Sequence, residues 1–237
     1  MLASDLFSIG LLSFITILLV VPSLRKMPGI GVLPAILIIA VVVLQRGEGW
    51  EGLGLIRPES WRFAIISSLL LGLLIALGST IFIEPLSERL TGVTHDLSAL
   101  GTIRGNLRNT LTWITGAWLM AATLEEIMFR GFMMRELADL FGTSPLANAL
   151  NILLTSIVFG LAHWYQTRAG ALSTGIVSVL LGAIFIWNDF QLWLLILTHG
   201  FIDTFGLFLI YLGWDKYLNQ VVFKAVKAAD QDGEVSF

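Results

Sequence analysis

The sequence predicts an all-α, polytopic transmembrane bundle of about seven spans, within a range of roughly six to eight. Three observations lead there. Of 237 residues, 56% are hydrophobic and 13% charged, about half the charged share of an average soluble domain (~25%). Apolar runs close to the ~20 residues that cross a bilayer as a helix recur along the chain. No run shows the alternation of a lipid-facing strand, and lipid offers unpaired backbone groups no water, which leaves helices.

The spans follow in order. Residues 6–24 contain no ionisable side chain, and the first basic residue, Arg25, comes after them. That run therefore reads as a retained helix rather than a cleaved leader, which needs a basic start. Residues 30–44, shorter and holding Pro34, make the second span, and 63–83 the third. The fourth, 111–134, carries two adjacent carboxylates. The fifth is 146–164, the sixth 171–187 and the seventh 192–212. Between the second and third, "QRGEGWEGLGLIRPESWR" (45–62) mixes tryptophans, glycines and charges as an interfacial segment does. The longest connection contains His95, read as a solvated loop histidine without a role. The chain divides into 1–62 (N-terminal helices and interfacial loop), 63–214 (helical core) and 215–237 (polar tail), within one domain.

Net charge is −3 with no basic block, so nucleic acid is not an expected partner, and the lipid bilayer is. There is no cysteine, hence no disulfide, thiolate metal site or cysteine nucleophile. With seven spans, Arg25, Lys26, Arg89, Arg104, Arg108, Arg168, Lys216, Lys224 and Lys227 fall on one side. Arg46, Arg57, Arg62, Arg130 and Arg135 fall on the other. The positive-inside rule then expects the N-terminus outside a cell membrane and the C-terminus in the cytoplasm.

Ionisable residues within the spans gather in three places: Glu125, Glu126 and Arg130; "FGLAH", ending at His163; and "HGFID", His199 to Asp203. A charge at mid-bilayer costs at least ~2.5–3.5 kcal/mol, so such residues pair or function. Glu126 and Arg130, Phe159 and His163, and His199 and Asp203 are each i,i+4, so each pair shares a helix face. Glu125, one position away, can face a different partner. On the sixth span Thr174, Ser178 and Gly182 form a small-residue face suited to close packing.

A carboxylate and a histidine sharing a water can deprotonate it, and a second donor pair can hold an oxyanion. Hydrolysis fits this inventory. Zinc H-E-x-x-H and aspartyl G-x-G-D signatures are missing, and Gly142-Thr143-Ser144 before Pro145 reads as a turn and helix cap. A metal-dependent hydrolase remains an alternative, since two Glu and two His could bind zinc. So do a non-catalytic protein and, more distantly, an ion-coupled transporter.

At these residues the sequence resembles the CAAX protease and bacteriocin-processing (CPBP, Abi) family of glutamic intramembrane endopeptidases, including the type II CAAX prenyl endopeptidases. The resemblance lies in Glu125-Glu126-Ile-Met-Phe-Arg130, Phe159-Gly-Leu-Ala-His163 and His199-Gly-Phe-Ile-Asp203, with "GLGLIRP" (52–58) upstream, and covers about residues 50–210. It implies that Glu125 and His163 activate water, that Glu126 pairs with Arg130, and that His199 with position 203 stabilises the oxyanion. It implies no cofactor or metal and a peptide or membrane-protein substrate that can be lipidated. It also keeps bacteriocin immunity and scaffolding open. The basic-residue count, which places the Arg168 loop beside His163 inside, leads us to expect a cavity opening to the cytoplasm. Relatives carry Asn or Asp at the last position of the third motif, and this chain has Asp203. An ionised Asp cannot donate to an oxyanion, so either it holds His199 protonated or it is itself protonated.

Overall fold

The computed structural model describes residues 10, 32–215 and 217–218. The first expected span, 6–24, apart from Gly10, and almost all of the tail lie outside them. Among the described residues the chain is helical, without strands. Helix α1 is Val32–Arg46 and a 3-10 turn follows at Trp50–Leu53. Helix α2 (Trp61–Gly78) continues through a π turn, Ser79–Ile83, into α3 (Glu84–Thr91). Helix α4 (Leu107–Gly116) continues through two π segments, Ala117–Glu125 and Ile127–Met134, into α5 (Arg135–Phe141). Then come α6 (Pro145–Ala162), a 3-10 turn at Trp164–Gln166, α7 (Thr167–Trp187) and α8 (Trp193–Leu212).

Every expected span within the described residues is a helix. Four helical stretches, Trp61–Thr91, Pro145–Ala162, Trp164–Trp187 and Trp193–Leu212, are long and apolar enough to cross a membrane, and Pro34–Arg46 is apolar but shorter. The 107–141 rod is as long, but its carboxylates and threonines dilute its hydropathy. The third expected span runs further than 63–83. The π turn lets the Glu84 N–H reach back five residues to Ser79 O, and Pro85, which would strain an ordinary helix interior, sits in the first turn of α3.

Small residues set the helix crossings. Helices α2 and α8 meet at Gly72, where a Cβ would collide with Phe201, and at Ser68, whose hydroxyl donates to Leu194 O at 3.0 Å. Helices α6 and α7 meet at Gly160 and Gly175. The close approach expected of Thr174, Ser178 and Gly182 therefore centres on a neighbouring glycine. The 45–62 segment is more than interfacial: Leu53 is buried in the core, and Gly54 O accepts from Leu192 N at 2.8 Å. The Gly142–Pro145 stretch is a cap, as read: Gly142 has a positive φ, and Ser144 Oγ accepts from Ala147 N.

His95 departs from its reading. It is not a solvated side chain, because the loop after α3 folds back onto α7. Its Nδ1 lies 3.1 Å from Glu88 Oε1 and its Nε2 2.9 Å from Ser173 Oγ, with the ring 11% exposed.

Candidate active site

The acidic pair sits at the junction of two π segments, Glu125 ending the first and Glu126 joining it to the second, where the backbone bonds i to i+5 instead of i to i+4. Thr123 Oγ1 donates to Trp118 O, five residues back, at 2.8 Å, in the same register. At the far end Asn151 Nδ2 donates to Met134 O at 2.6 Å, where the rod returns to α geometry. The rod packs against its neighbours without clash because Gly131 faces the Leu53 carbonyl and Gly200 lies under the Trp118 ring. Such widened stretches recur at functional sites. Here the widening surrounds the two glutamates, which point to histidines on different helices.

Glu126 points inward. Its Oε1 accepts from Arg130 Nη1 at 2.9 Å and lies 2.7 Å from His199 Nδ1. A carboxylate so placed accepts, so His199 Nδ1 carries a hydrogen. Arg130 is fully buried and also donates through Nη2 to Ser178 Oγ (2.8 Å) and Ser178 O (3.1 Å). Sequence reasoning assigns Ser178 to helix packing only. A serine in the middle of a span carries no pattern that marks it as an arginine's anchor.

Glu125 points the other way, with Oε1 3.8 Å from His163 Nε2. That is beyond direct hydrogen-bond length and suits two groups that share a water on one side. His163 is the residue after α6, and its Nδ1 lies 2.8 Å from Phe159 O. A carbonyl only accepts, so Nδ1 donates, and the neutral ring has its lone pair on Nε2, facing Glu125. On α8, His199 Nε2 lies 3.7 Å from Asp203 Oδ2, too far to be capped by it, and that oxygen is buried without a partner.

Phe159 joins the two halves. Its ring centroid is 4.5 Å from His163, 6.5 Å from His199 and 4.8 Å from Phe129, and the Arg130 guanidinium lies 5.0 Å from it. The sequence places it as a support, and it touches both histidines' rings and the arginine. All seven residues singled out from sequence thus fall into one cluster, on the 107–141 rod, α6 and α8. Exposure divides them. Glu125 (19%) and Asp203 (26%) form the rim, while Glu126 and Arg130 (0%) form the floor. The donors are arranged as two pairs; among the described residues no three His, Asp or Glu side chains converge as metal ligands do.

The turn after His163 is strained. Thr167 has φ 78° and ψ 174°, a region nearly reserved for glycine that costs a β-branched residue about 1–3 kcal/mol. Its hydroxyl donates to Thr94 O at 2.9 Å, so the loop that carries His95 holds it.

A family model described as type II CAAX prenyl endopeptidase Rce1-like matches residues 107–224, which begin at the first residue of α4 and contain the whole cluster. Residues 107–224 belong to the Rce1-like family. The Rce1-like family is one of membrane CAAX endopeptidases, and the apolar helices make the chain a multi-pass membrane protein. No curated protein and no solved structure matches the chain.

Proposed function

We propose that the chain is an intramembrane glutamic-type endopeptidase that hydrolyses a peptide bond of a membrane-held, prenylated substrate. The observation that carries this reading is the Glu125–His163 pair. Two acceptors, a carboxylate oxygen and a ring nitrogen whose partner nitrogen is committed to Phe159 O, face each other across 3.8 Å at a partly open rim. A water seated against both gives its proton to the pair as its oxygen attacks the scissile carbonyl carbon. His199, held through Nδ1 by Glu126, presents Nε2 to the oxyanion, and Asp203 beside it favours a ring that donates through both nitrogens. The C–N bond then breaks as the pair returns the proton to the leaving amine. Glu126, Arg130 and Ser178 position His199 and take no part in proton transfer. No step in this scheme calls on a metal.

The test is hydrolysis, by the purified protein in detergent, of a fluorogenic peptide ending in a prenylated cysteine and three further residues. Cleavage that persists after chelator treatment and dialysis is expected. Loss of cleavage restored by zinc alone would overturn the mechanism in favour of a metal hydrolase.

Asp203 gives a second expectation in the same assay. His199→Ala, which removes an oxyanion donor, should lower kcat by about 10²–10³-fold. Asp203→Ala should cost less than that, and Asp203→Asn should cost least, because an amide donates where a carboxylate cannot. Full activity of Asp203→Ala would remove this residue from the mechanism.

A further inference from the structure

The chain has three histidines, and the one outside the cluster, His95, lies half-buried on the loop that pins the catalytic turn. His95 is held at three points. Its backbone N–H donates to Glu88 Oε1 at 2.9 Å, its Nδ1 meets the same oxygen, and its Nε2 meets Ser173 Oγ at 2.9 Å. Glu88 is on α3 and Ser173 on α7, so the ring ties the loop to two helices at once. The preceding residue, Thr94, accepts from Thr167, the strained residue four positions after His163. On the same side, Ser173 Oγ donates to Gly170 O at 3.1 Å, and Gln166, last residue of the catalytic turn, lies so close over Gly170 that no Cβ fits there.

A β-branched residue stays in a glycine-type conformation only when its surroundings hold it there. What holds Thr167 is the Thr94 carbonyl, and what holds Thr94 in place is His95. We infer that His95 is a positioning residue: bonded to Glu88 and Ser173, it straps loop 92–97 to α7 and so keeps the His163 turn in register with Glu125. The strap follows from the contacts, and its effect on turnover rests on the endopeptidase reading above. The same helix carries Ser178, the anchor of Arg130, so both halves of the cluster lean on α7.

The two parts can be read separately. In this cysteine-free chain, a single cysteine at Gln166 reports the turn by its rate of thiol labelling, whether or not the protein cleaves anything. Added to that background, His95→Ala should raise the labelling rate several-fold. In the prenylated-peptide assay it should lower kcat about ten- to hundredfold with KM nearly unchanged, as a misplaced general base does. His95→Gln, whose amide can still bond one of the two partners, should recover part of both. Thr167→Gly relieves the strain that the strap resists, so it should suppress most of the His95→Ala defect in kcat. If His95→Ala does not fold, Ser173→Ala removes a single hydroxyl and should shift both readouts in the same direction. Unaltered labelling in a folded His95 or Ser173 variant would overturn the strap. Raised labelling with full kcat would overturn its positioning role. A wild-type protein that cleaves nothing would instead count against the endopeptidase reading, and labelling alone would then decide the strap.

Discussion

Glu125→Gln should lower kcat for the prenylated peptide by about 10²–10⁴-fold, the usual contribution of a general base, and leave the protein folded. Stability should hold because Glu125 is at the rim, and its carboxylate stands 3.8 Å from His163 Nε2, a contact too long to anchor the fold. Gln keeps the shape and removes the proton acceptor. His163→Ala should fall into the same range, since its Nε2 faces the same water position. The double variant should be little worse than either single one, because the two act on one proton and such effects are far from additive. Thermal unfolding and steady-state kinetics of the three proteins check this together. Near-normal turnover by either single variant would sink the glutamic mechanism. A double variant slower by the product of the two single effects would show that the residues act on separate steps.

The helices are legible because lipid leaves the chain few options, and the acids, histidines and arginine stand out against so apolar a background. The i,i+4 spacing of Glu126 with Arg130 foretells a contact that exists at 2.9 Å. The spacing of His199 with Asp203 foretells a shared face, on which the two groups stand 3.7 Å apart. Three features are not legible. The π segments have no compositional mark, and the contacts around them, of Gly131 with Leu53, Trp118 with Gly200 and Met134 with Asn151, join residues far apart in sequence. Ser178 reads as a small packing residue until Arg130 is seen to end beside it. His95 reads as solvated because nothing in its own loop shows that the chain returns to α7, some 78 residues later in sequence. Local periodicity finds faces, while partners across helices depend on tertiary geometry.

Arg130→Ala should be the most damaging substitution to the fold. Both partners of the Arg130–Glu126 pair are fully buried, and the guanidinium also serves both oxygens of Ser178. Truncation leaves the Glu126 carboxylate leaning on His199 through Oε1, with its Oε2 already buried and unbonded. Breaking a buried pair by removing one member costs about 3–5 kcal/mol, because a desolvated charge is left behind. Thermal unfolding in detergent should therefore show a large drop in Tm, and activity should fall with it as His199 loses its fixed neighbour. Arg130→Lys should be intermediate: an ammonium restores the charge but cannot bridge Glu126 and Ser178 with a planar fork. The informative comparison is Arg130→Met against Arg130→Met combined with Glu126→Gln. If the damage comes from the orphaned carboxylate rather than from lost packing, neutralising Glu126 should recover part of the stability although a second native contact is removed. Activity should not return with it, since the substituted amide would hold His199 without a carboxylate's charge. An unchanged Tm in Arg130→Ala would mean that water reaches the pair, and the buried floor assigned to this site would then be wrong.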